Sequence, residues 1–486
     1  MQKNRFFLAP LWGFLLFAGG HLAMSEPLQA ELRSTQADQT ALAITIFNDN
    51  LALVKDRRRI ALPKGVVDLA FRDVSARIQA ETAIFRALSE QSPVRVLEQN
   101  FDFDLLTPEN LLKKYVGRKV QVIQTHPTTG EETVRDAQVL AATQGVVLRL
   151  EDHIETGVPG RIVFPDVPPN LRDRPTLVMQ LESGQEATQE FELAYLTGGL
   201  SWKADYVGEL SQNEDFLDLA GWVTLNNTSG TSYPQARLQL IAGDVNRVMP
   251  AELPMMEMRK ARRPMLAAAP EPVSEEALFE YHLYSLPRPT TIADNQTKQV
   301  ALLQAQSIPV HKELLFDGSA YYYRRKYGEI GTKLKAAVFL EFENREAANL
   351  GLPLPKGIVR IYKNDSAGNA QFIGEDQIDH TPKNEKVRLK LGEAFDVTAD
   401  RVQTDFRKLS GMGPWQYQFE SAYRITVKNG KPESVTVKVR EPIPGDWKML
   451  QTSHPYEKES SDRVSWMLRV PPEGKTVLTY RVRVRF

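Results

Sequence analysis

Apolar and polar side chains alternate with a period of two along most of this 486-residue chain. In the run 478–486, every second residue is leucine, tyrosine, valine or phenylalanine, and the residues between them are threonine and arginine. Successive side chains of a strand point to opposite faces of a sheet, so this alternation predicts strands with one buried face. Turn residues such as Asn429-Gly430 separate the runs. We therefore predict an all-β chain of Ig-like β-sandwich domains.

One helix interrupts the strand pattern in the first half of the chain. Thr107 is placed to cap its first turn, and Gly117 is placed to end it. Short strand patterns follow, and together with the helix they predict a small SH3-like barrel over residues 101–168. This barrel is inserted in an N-terminal β domain, which covers residues 26–100 and continues over 169–200. A larger sheet that contains the same strands is the alternative.

The second half of the chain is predicted to hold two further sandwich domains, over residues 201–315 and 316–486. Residues 249–274 fit neither the strand nor the helix period and contain a cluster of methionines, so they predict a mobile linker. Within it, residues 259–263 include four cations. A solvated charge run is the favoured interpretation, and contact with anionic lipid or another polyanion is the alternative.

The amino terminus has the order of a secretory signal peptide. Two cations precede the apolar run 6–18, and small side chains follow. Cleavage is expected after Ser25, or else after Ala30, so residues 1–25 are assigned to the signal. An uncleaved anchor is disfavoured, because thirteen helical residues span only about 20 Å. No later apolar run is long enough for a second membrane span. The mature chain is therefore predicted to be periplasmic or secreted.

Composition excludes several classes of function. The chain has 60 lysine and arginine residues against 61 aspartate and glutamate residues, and this balance argues against a broad nucleic-acid-binding face. It has no cysteine, which excludes disulfides, thiolate metal sites, cysteine nucleophiles and a lipid-modified cysteine. No nucleic-acid partner is therefore expected.

A metal site has one candidate cluster, formed by Glu375, Asp376, Asp379 and His380. The preceding segment 364–369 has a faint similarity to a calcium-binding loop, but its glycine is displaced by one position. A hairpin turn explains the same residues, and it is the favoured interpretation. The histidines of the chain do not form a pair at the spacing of a helical metal site. Neither a metal nor a cofactor is predicted.

Catalytic chemistry has one weak candidate, which is paired carboxylates. Glycoside hydrolysis needs two carboxyl groups about 5–10 Å apart, and Asp102 with Asp104, or Asp205 with Glu209, would lie on one face of a strand. Such pairs are common on any charged surface. The glycine-flanked serine of a hydrolase elbow is absent from the sequence. No catalytic residue is therefore assigned.

Aromatic side chains offer the best candidate for binding. After Gly198-Gly199, a strand pattern places Trp202 and Tyr206 on one face and Asp205 on the other. Trp202, Asp205 and Tyr206 are the predicted partner-binding residues. The alternative, which we favour, is that the two aromatic residues fill a sandwich core. Tyr417, Trp447 and Trp466 are open to the same two interpretations.

Several segments resemble a known family. They are residues 194–206, 221–227, 236–248, 281–291, 295–299 and 374–383. Together they are similar to the bacterial exported family named domain of unknown function 4139, which is related to the mucoidy inhibitor A family. The resemblance implies an exported β-rich protein. It implies no activity, because the function of that family is unassigned. Mucoidy inhibitor relatives carry a helical hairpin where this chain has the predicted barrel.

These observations favour a non-catalytic, exported binding or scaffolding protein of the cell envelope. Its expected partner is an envelope protein or a polysaccharide. An envelope glycan hydrolase that uses paired carboxylates is the first alternative. An outer-membrane barrel is the second, since apolar residues and arginines alternate in 478–486 much as they would in the last strand of such a barrel.

The signal-peptide interpretation predicts the first residue of the exported protein. Small side chains at Ala23 and Ser25 meet the requirement of signal peptidase, so the mature chain should begin at Glu26. Amino-terminal sequencing of the protein from the envelope fraction tests this expectation. Intact Met1 on envelope-located material would contradict it.

Overall fold

The computed structural model describes most of the chain. The described residues are 31–48, 50–89, 93–102, 105–143, 145–158, 160–168, 171–243, 274–278, 281–409 and 417–486, with the backbone alone for 274–278. The predicted signal peptide 1–25 and the basic run 259–263 lie outside them, as does the predicted linker up to residue 273. Within the described residues, no helix has the length and apolar character needed to cross a membrane.

Strands dominate the described residues, and the predicted all-β class is confirmed. The strands of the first half are β1 (Leu32–Ser34), β2 (Gln39–Phe47), β3 (Leu51–Leu62), β4 (Gly65–Arg72), β5 (Ile84–Ala87), β6 (Val94–Asp102), β7 (Lys119–Thr125), β8 (Glu132–Ala141), β9 (Val147–Arg149), β10 (Ile154–Thr156), β11 (Arg161–Val163), β12 (Thr176–Ser183), β13 (Ala187–Thr197), β14 (Leu200–Leu210), β15 (Phe216–Asn227) and β16 (Tyr233–Ala242).

The second half contributes the longest strands. They are β17 (Ser274–Leu278), β18 (Tyr281–Ser285), β19 (Thr290–Ile292), β20 (Gln296–Asp317), β21 (Glu329–Glu343), β22 (Gly357–Asn364), β23 (Ala370–Ile378), β24 (Lys386–Leu409), β25 (Gln418–Asn429), β26 (Val435–Pro442), β27 (Asp446–Thr452), β28 (Glu457–Lys458), β29 (Arg463–Val470) and β30 (Lys475–Arg485). The described helices are α1 (Pro108–Lys114) and the 3-10 turns Gln36–Asp38, Ala80–Thr82, Ala320–Tyr323 and Glu346–Ala348.

The described strands pair into four sheets. One has the order β1-β4-β12-β6, and a second has the order β17-β18-β16-β2-β3-β13-β5 with β19 on β16. A third, small sheet has the order β10-β9-β8-β7-β11. The largest runs β23-β22-β14-β15-β20-β21-β24-β25-β30-β27, and it also includes β26, β28 and β29.

The first hydrophobic core joins strands from both sides of the predicted boundary at residue 200. It contains Ile44 of β2, Leu193 of β13, Leu225 of β15 and Leu389 of β24, all fully buried. Strand pairing crosses the same boundary, because β16 runs parallel to β2. The proposed division into domains stays a prediction, but the core and the pairing here are continuous.

The small module that follows β6 forms around α1. The Thr107 side chain accepts a hydrogen bond from the backbone N–H of Asn110 at 3.1 Å, so the predicted helix cap is present. Tyr115, directly after the helix, is buried with Val122 and Leu148 of the small sheet. The outer strands β10 and β11 pair with β9 and β7 and not with each other. Where a barrel is predicted, the described residues form an open five-stranded sheet, because these two edge strands are only three residues long.

The second hydrophobic core lies in the carboxyl-terminal third of the chain. Inner faces of β24, β25 and β30 pack here against those of β26 and β29. Trp466 stacks on Tyr480 at 4.9 Å between ring centroids, and Tyr480 stacks on Tyr423 at 5.0 Å. Trp466 is therefore a core residue, and the Ig-like topology stays a prediction.

This second core contains a buried ion pair. Arg401 of β24 contacts Glu441 of β26 at 2.8 Å, and both side chains are almost completely buried. The Tyr323 hydroxyl donates a hydrogen bond to Glu441 at 3.1 Å. Burial raises the pKa of Glu441, although Arg401 and Tyr323 act in the opposite direction. Burial acts to lower the pKa of the Arg401 guanidinium. Glu441 beside it acts in the opposite direction, and the pKa is raised.

Removing one member of this pair should destabilise the second core strongly. Arg401→Met leaves Glu441 buried without its cation, and we expect the free energy of unfolding to fall by about 3–5 kcal/mol at pH 8. Arg407→Met is the matched control, because Arg407 contacts Asp405 at 3.3 Å with 65% of its side chain exposed. The control should change stability by less than about 1 kcal/mol. Urea unfolding followed by circular dichroism measures both.

The stability of Arg401→Met should also depend on pH. Without Arg401, the effect of burial on Glu441 is less opposed, so its folded-state pKa rises further. The folded state then binds the proton more tightly than the unfolded state, and stability is lost as pH rises through the folded-state pKa. Arg401→Met should therefore be more stable at pH 5 than at pH 8 relative to wild type. Adding Glu441→Gln should abolish that difference, and a difference that persists would contradict the explanation.

Candidate functional site

The predicted binding residues on β14 are buried. Trp202 is 4% exposed, Asp205 7% and Tyr206 0%. Strand β14 pairs with β15 on one side and with β22 on the other. The Tyr206 hydroxyl donates a hydrogen bond to the carbonyl of Pro355 at 2.8 Å, and Trp202 packs edge-on against Tyr284. Trp202 and Tyr206 thus fill the first core, which agrees with the interpretation favoured above. None of the three residues forms the exposed binding surface that was the other interpretation.

The carboxylates proposed for hydrolysis are held by other side chains. Asp205 contacts Arg360 at 3.1 Å and accepts a hydrogen bond from the Thr224 hydroxyl at 2.8 Å. Glu209 accepts a hydrogen bond from the amide of Asn364 at 2.6 Å. Asp102 accepts one from Arg172 at 3.0 Å, and Asp104 lies outside the described residues. These contacts occupy both oxygens of Asp205 and one oxygen each of Glu209 and Asp102.

A general acid also needs a raised pKa and access to substrate. Several described carboxyl groups have a pKa that departs from the ordinary value. Among them, only the pKa of Glu441 is raised. Its side chain is completely buried in the second core. The described residues therefore give the hydrolase alternative no support.

The residues considered as a candidate metal cluster have structural partners. Glu375 contacts Arg360 at 3.1 Å, and the Asp376 carboxylate accepts a hydrogen bond from the backbone N–H of Lys390 at 2.7 Å. His380 Nδ1 accepts one from the backbone N–H of Lys356 at 3.2 Å. Within the described ranges, no group of three or more potential ligands is arranged to hold a metal ion.

The segment with a faint similarity to a calcium loop is a hairpin turn between β22 and β23. Asp365 accepts hydrogen bonds from the backbone N–H groups of Ala367 and Asn369, both at 2.9 Å. An aspartate that bonds to the backbone just after it is typical of a tight turn. The hairpin interpretation of these residues therefore agrees with the structure.

A different surface, which sequence reasoning missed, surrounds Phe395 of β24. This side chain is 83% exposed, more than any other large apolar side chain in the described part of the chain. A β-bulge causes this exposure: Lys335 pairs with Thr398 and Ala337 pairs with Glu393, so Ala336 alone stands opposite residues 394–397. Bulges redirect side chains and are frequent beside functional sites.

Three irregular segments meet at this bulge. The backbone N–H of Gly430, in the turn after β25, donates to the carbonyl of Asp396 at 2.7 Å. The backbone N–H of Asn429 donates to the carbonyl of Gly474, in the turn before β30, at 2.8 Å. The buried Asn429 side chain fixes the same turn by donating to the carbonyl of Pro471 at 3.0 Å. Backbone hydrogen bonds therefore hold Phe395 beside two turns in a defined geometry.

A hollow of about 560 Å³ lies at this junction. We call it the Phe395 hollow, and its lining residues are Phe395, Asp396, Thr398, Lys428, Asn429, Gly430, Glu473, Gly474 and Lys475. The ammonium group of Lys335 lies over the Phe395 ring, 5.9 Å from its centroid. An exposed aromatic ring beside polar and charged groups is suited to binding and offers no activated nucleophile.

The backbone beside the hollow contains two uncommon conformations. Lys333 has φ 49° and Glu473 has φ 43°, in the left-handed region that side-chain-bearing residues rarely adopt. The backbone N–H of Lys333 donates to the Asp400 carboxylate at 2.9 Å, which holds that conformation. This hydrogen bond is the largest cause of the lowered pKa of Asp400, and the hydrogen bond from Lys428 is the second largest. Such conformations persist where the surrounding structure enforces them, and they are concentrated at functional sites.

Comparison with known proteins identifies a family. The sequence of residues 191–486 matches a family described as a domain of unknown function (DUF4139). The matched range includes β14, both turns at the Phe395 hollow and the whole of β24. No curated protein matches the chain.

The burial of Trp202 predicts how its variants behave. Trp202→Ala removes a core side chain and should lower the free energy of unfolding by about 3–5 kcal/mol. The indole N–H makes no hydrogen bond among the described residues. Trp202→Phe, which keeps a ring and removes that N–H, should therefore cost clearly less. Thermal melts of both variants test this order, and equal losses would contradict it.

Proposed function

Because this chain belongs to the DUF4139 family, whose name assigns no activity, its function has to be inferred from its own surface. We propose that it is a non-catalytic binding or scaffolding protein of the cell envelope, which holds a partner at the Phe395 hollow. The partner is an envelope protein or a polysaccharide. The signal-peptide pattern of residues 1–25 supports a periplasmic or secreted location for this contact.

The exposure of Phe395 is the observation that carries the proposal. Full burial of such a side chain is worth about 1.5–3 kcal/mol, and this gain is not realised while the ring is 83% exposed. A partner that encloses the ring would realise it. Residues that dominate binding energy are commonly aromatic side chains that enter a pocket of the partner and are surrounded by polar contacts.

The surroundings of Phe395 support the same role. The backbone hydrogen bond from Gly430 to Asp396 ties the bulge to the turn after β25, so little backbone entropy would be lost when a partner binds. The hollow is a shallow, open depression beside the ring, and its polar and charged lining can contact the rim of the partner's surface. The paired carboxylates of the described residues, in contrast, are held by other side chains, and this supports a structural role for them and not a catalytic one.

The proposal predicts that Phe395→Ala abolishes partner capture without affecting the fold. Loss of a dominant aromatic contact costs about 2 kcal/mol or more, which corresponds to a decrease in affinity of about 30-fold. The matched control is Phe372→Ala, at a ring that is 55% exposed on β23. The measurement is the amount of partner that the immobilised mature protein and each variant capture from envelope extract. Thermal melting shows that both variants are folded. Equal capture by wild type and Phe395→Ala would refute this site.

A further inference from the structure

Three lysines lie in one row beside the Phe395 hollow. Lys335 of β21 pairs with Thr398 of β24, Thr398 pairs with Lys428 of β25, and Lys428 pairs with Lys475 of β30. Directly paired residues of antiparallel strands project from the same face, so Lys335, Lys428 and Lys475 share one outer face. Four strands about 4.8 Å apart give this lysine row a length of about 14 Å.

The arrangement of these charges is unfavourable for the isolated chain. Lys428 and Lys475 stand directly opposite each other, and like charges in that position destabilise a sheet. Asp400 contacts Lys428 at 2.5 Å and offsets part of the repulsion. Lys335 and Lys475 are exposed, and Lys335 lies over the Phe395 ring. Negative charge on a bound partner would relieve the repulsion.

We infer that the partner at the Phe395 hollow is a protein whose surface presents carboxylates around an apolar pocket. This inference rests on the proposed function and specifies it. The carboxylates face the lysine row, and the pocket encloses the Phe395 ring. Complementary charges of this kind accelerate association and set the orientation of the two surfaces.

A protein fits this site better than an acidic polysaccharide does. Because the Phe395 side chain is 83% exposed, a pocket has to surround its ring in order to bury it, whereas a sugar chain covers one face of a ring. Asp396 and Glu473 also line the hollow. These two carboxylates would repel a uniformly anionic polymer, but a protein surface can match a mixture of charges.

The test uses photo-crosslinking from position 398 of the full mature chain, which leaves the Phe395 ring unchanged. A benzophenone side chain replaces that of Thr398, which lines the Phe395 hollow, and the protein is irradiated in envelope extract. We expect an adduct that protease digests, with a yield that falls about tenfold or more in the variant Lys335→Glu/Lys475→Glu. Raising the salt concentration from 0.05 to about 0.5 M should lower the wild-type yield, because the Debye length shortens. Lys55→Glu/Lys64→Glu, with the same change in net charge on exposed residues of other strands and turns, should crosslink like wild type.

The outcomes separate this inference from the proposed function. A protein adduct whose yield is unaffected by Lys335→Glu/Lys475→Glu would overturn the acidic partner surface and leave the Phe395 hollow as the binding site. An adduct that resists protease and is destroyed by periodate would identify a polysaccharide and overturn the inference that the partner is a protein. Absence of any adduct from position 398 would overturn both. Circular dichroism confirms folding, and Lys475→Glu itself faces Lys428, so it should not weaken the sheet.

Discussion

Three long strands each contribute to two hydrophobic cores, and much of the structure depends on this sharing. Strand β20 places Ile308 in the first core and Phe316 in the second. Strand β24 likewise places Leu389 in the first core and Val397 in the second. Strand β21 contributes to both cores as well. Because one continuous backbone serves both cores, their relative placement is fixed by sheet hydrogen bonds and not by a linker.

The exposure of Phe395 follows from that constraint. In β24, Leu389, Phe395 and Val397 have the same parity, so all three would face a core in a regular strand. The first core extends to Leu391, and Ala394 and Val397 both pack against the second. The bulge turns Ala394 inward in place of Phe395, so the Phe395 ring lies outside both cores. The binding site that we propose is therefore located at the junction of the two cores.

Sequence reasoning could predict the strands because alternation directly reports which side chains share a face. The run 478–486 corresponds to β30, whose Leu478, Val482 and Val484 are fully buried. The helix cap at Thr107 could also be predicted from the sequence, because capping depends on contacts between residues close in the chain. Alternation could not show which sheet each strand joins, so it could not reveal that β16 pairs with β2 across the predicted boundary at residue 200. It also gave no means of seeing that the bulge turns Phe395 away from both cores, although the glutamate at 393 interrupts the apolar alternation there.

The bulge in β24 also determines where the chain can tolerate a change of length. In a regular strand, an inserted or deleted residue turns every following side chain to the opposite face. Such a change near Leu389 or Ala399 would expose core residues and bury charged ones. Between residues 394 and 397, the pairing with β21 already contains unmatched residues, and a gain or loss of one can be accommodated there. Homologous chains should therefore vary in length at this point of the strand while both cores keep their register.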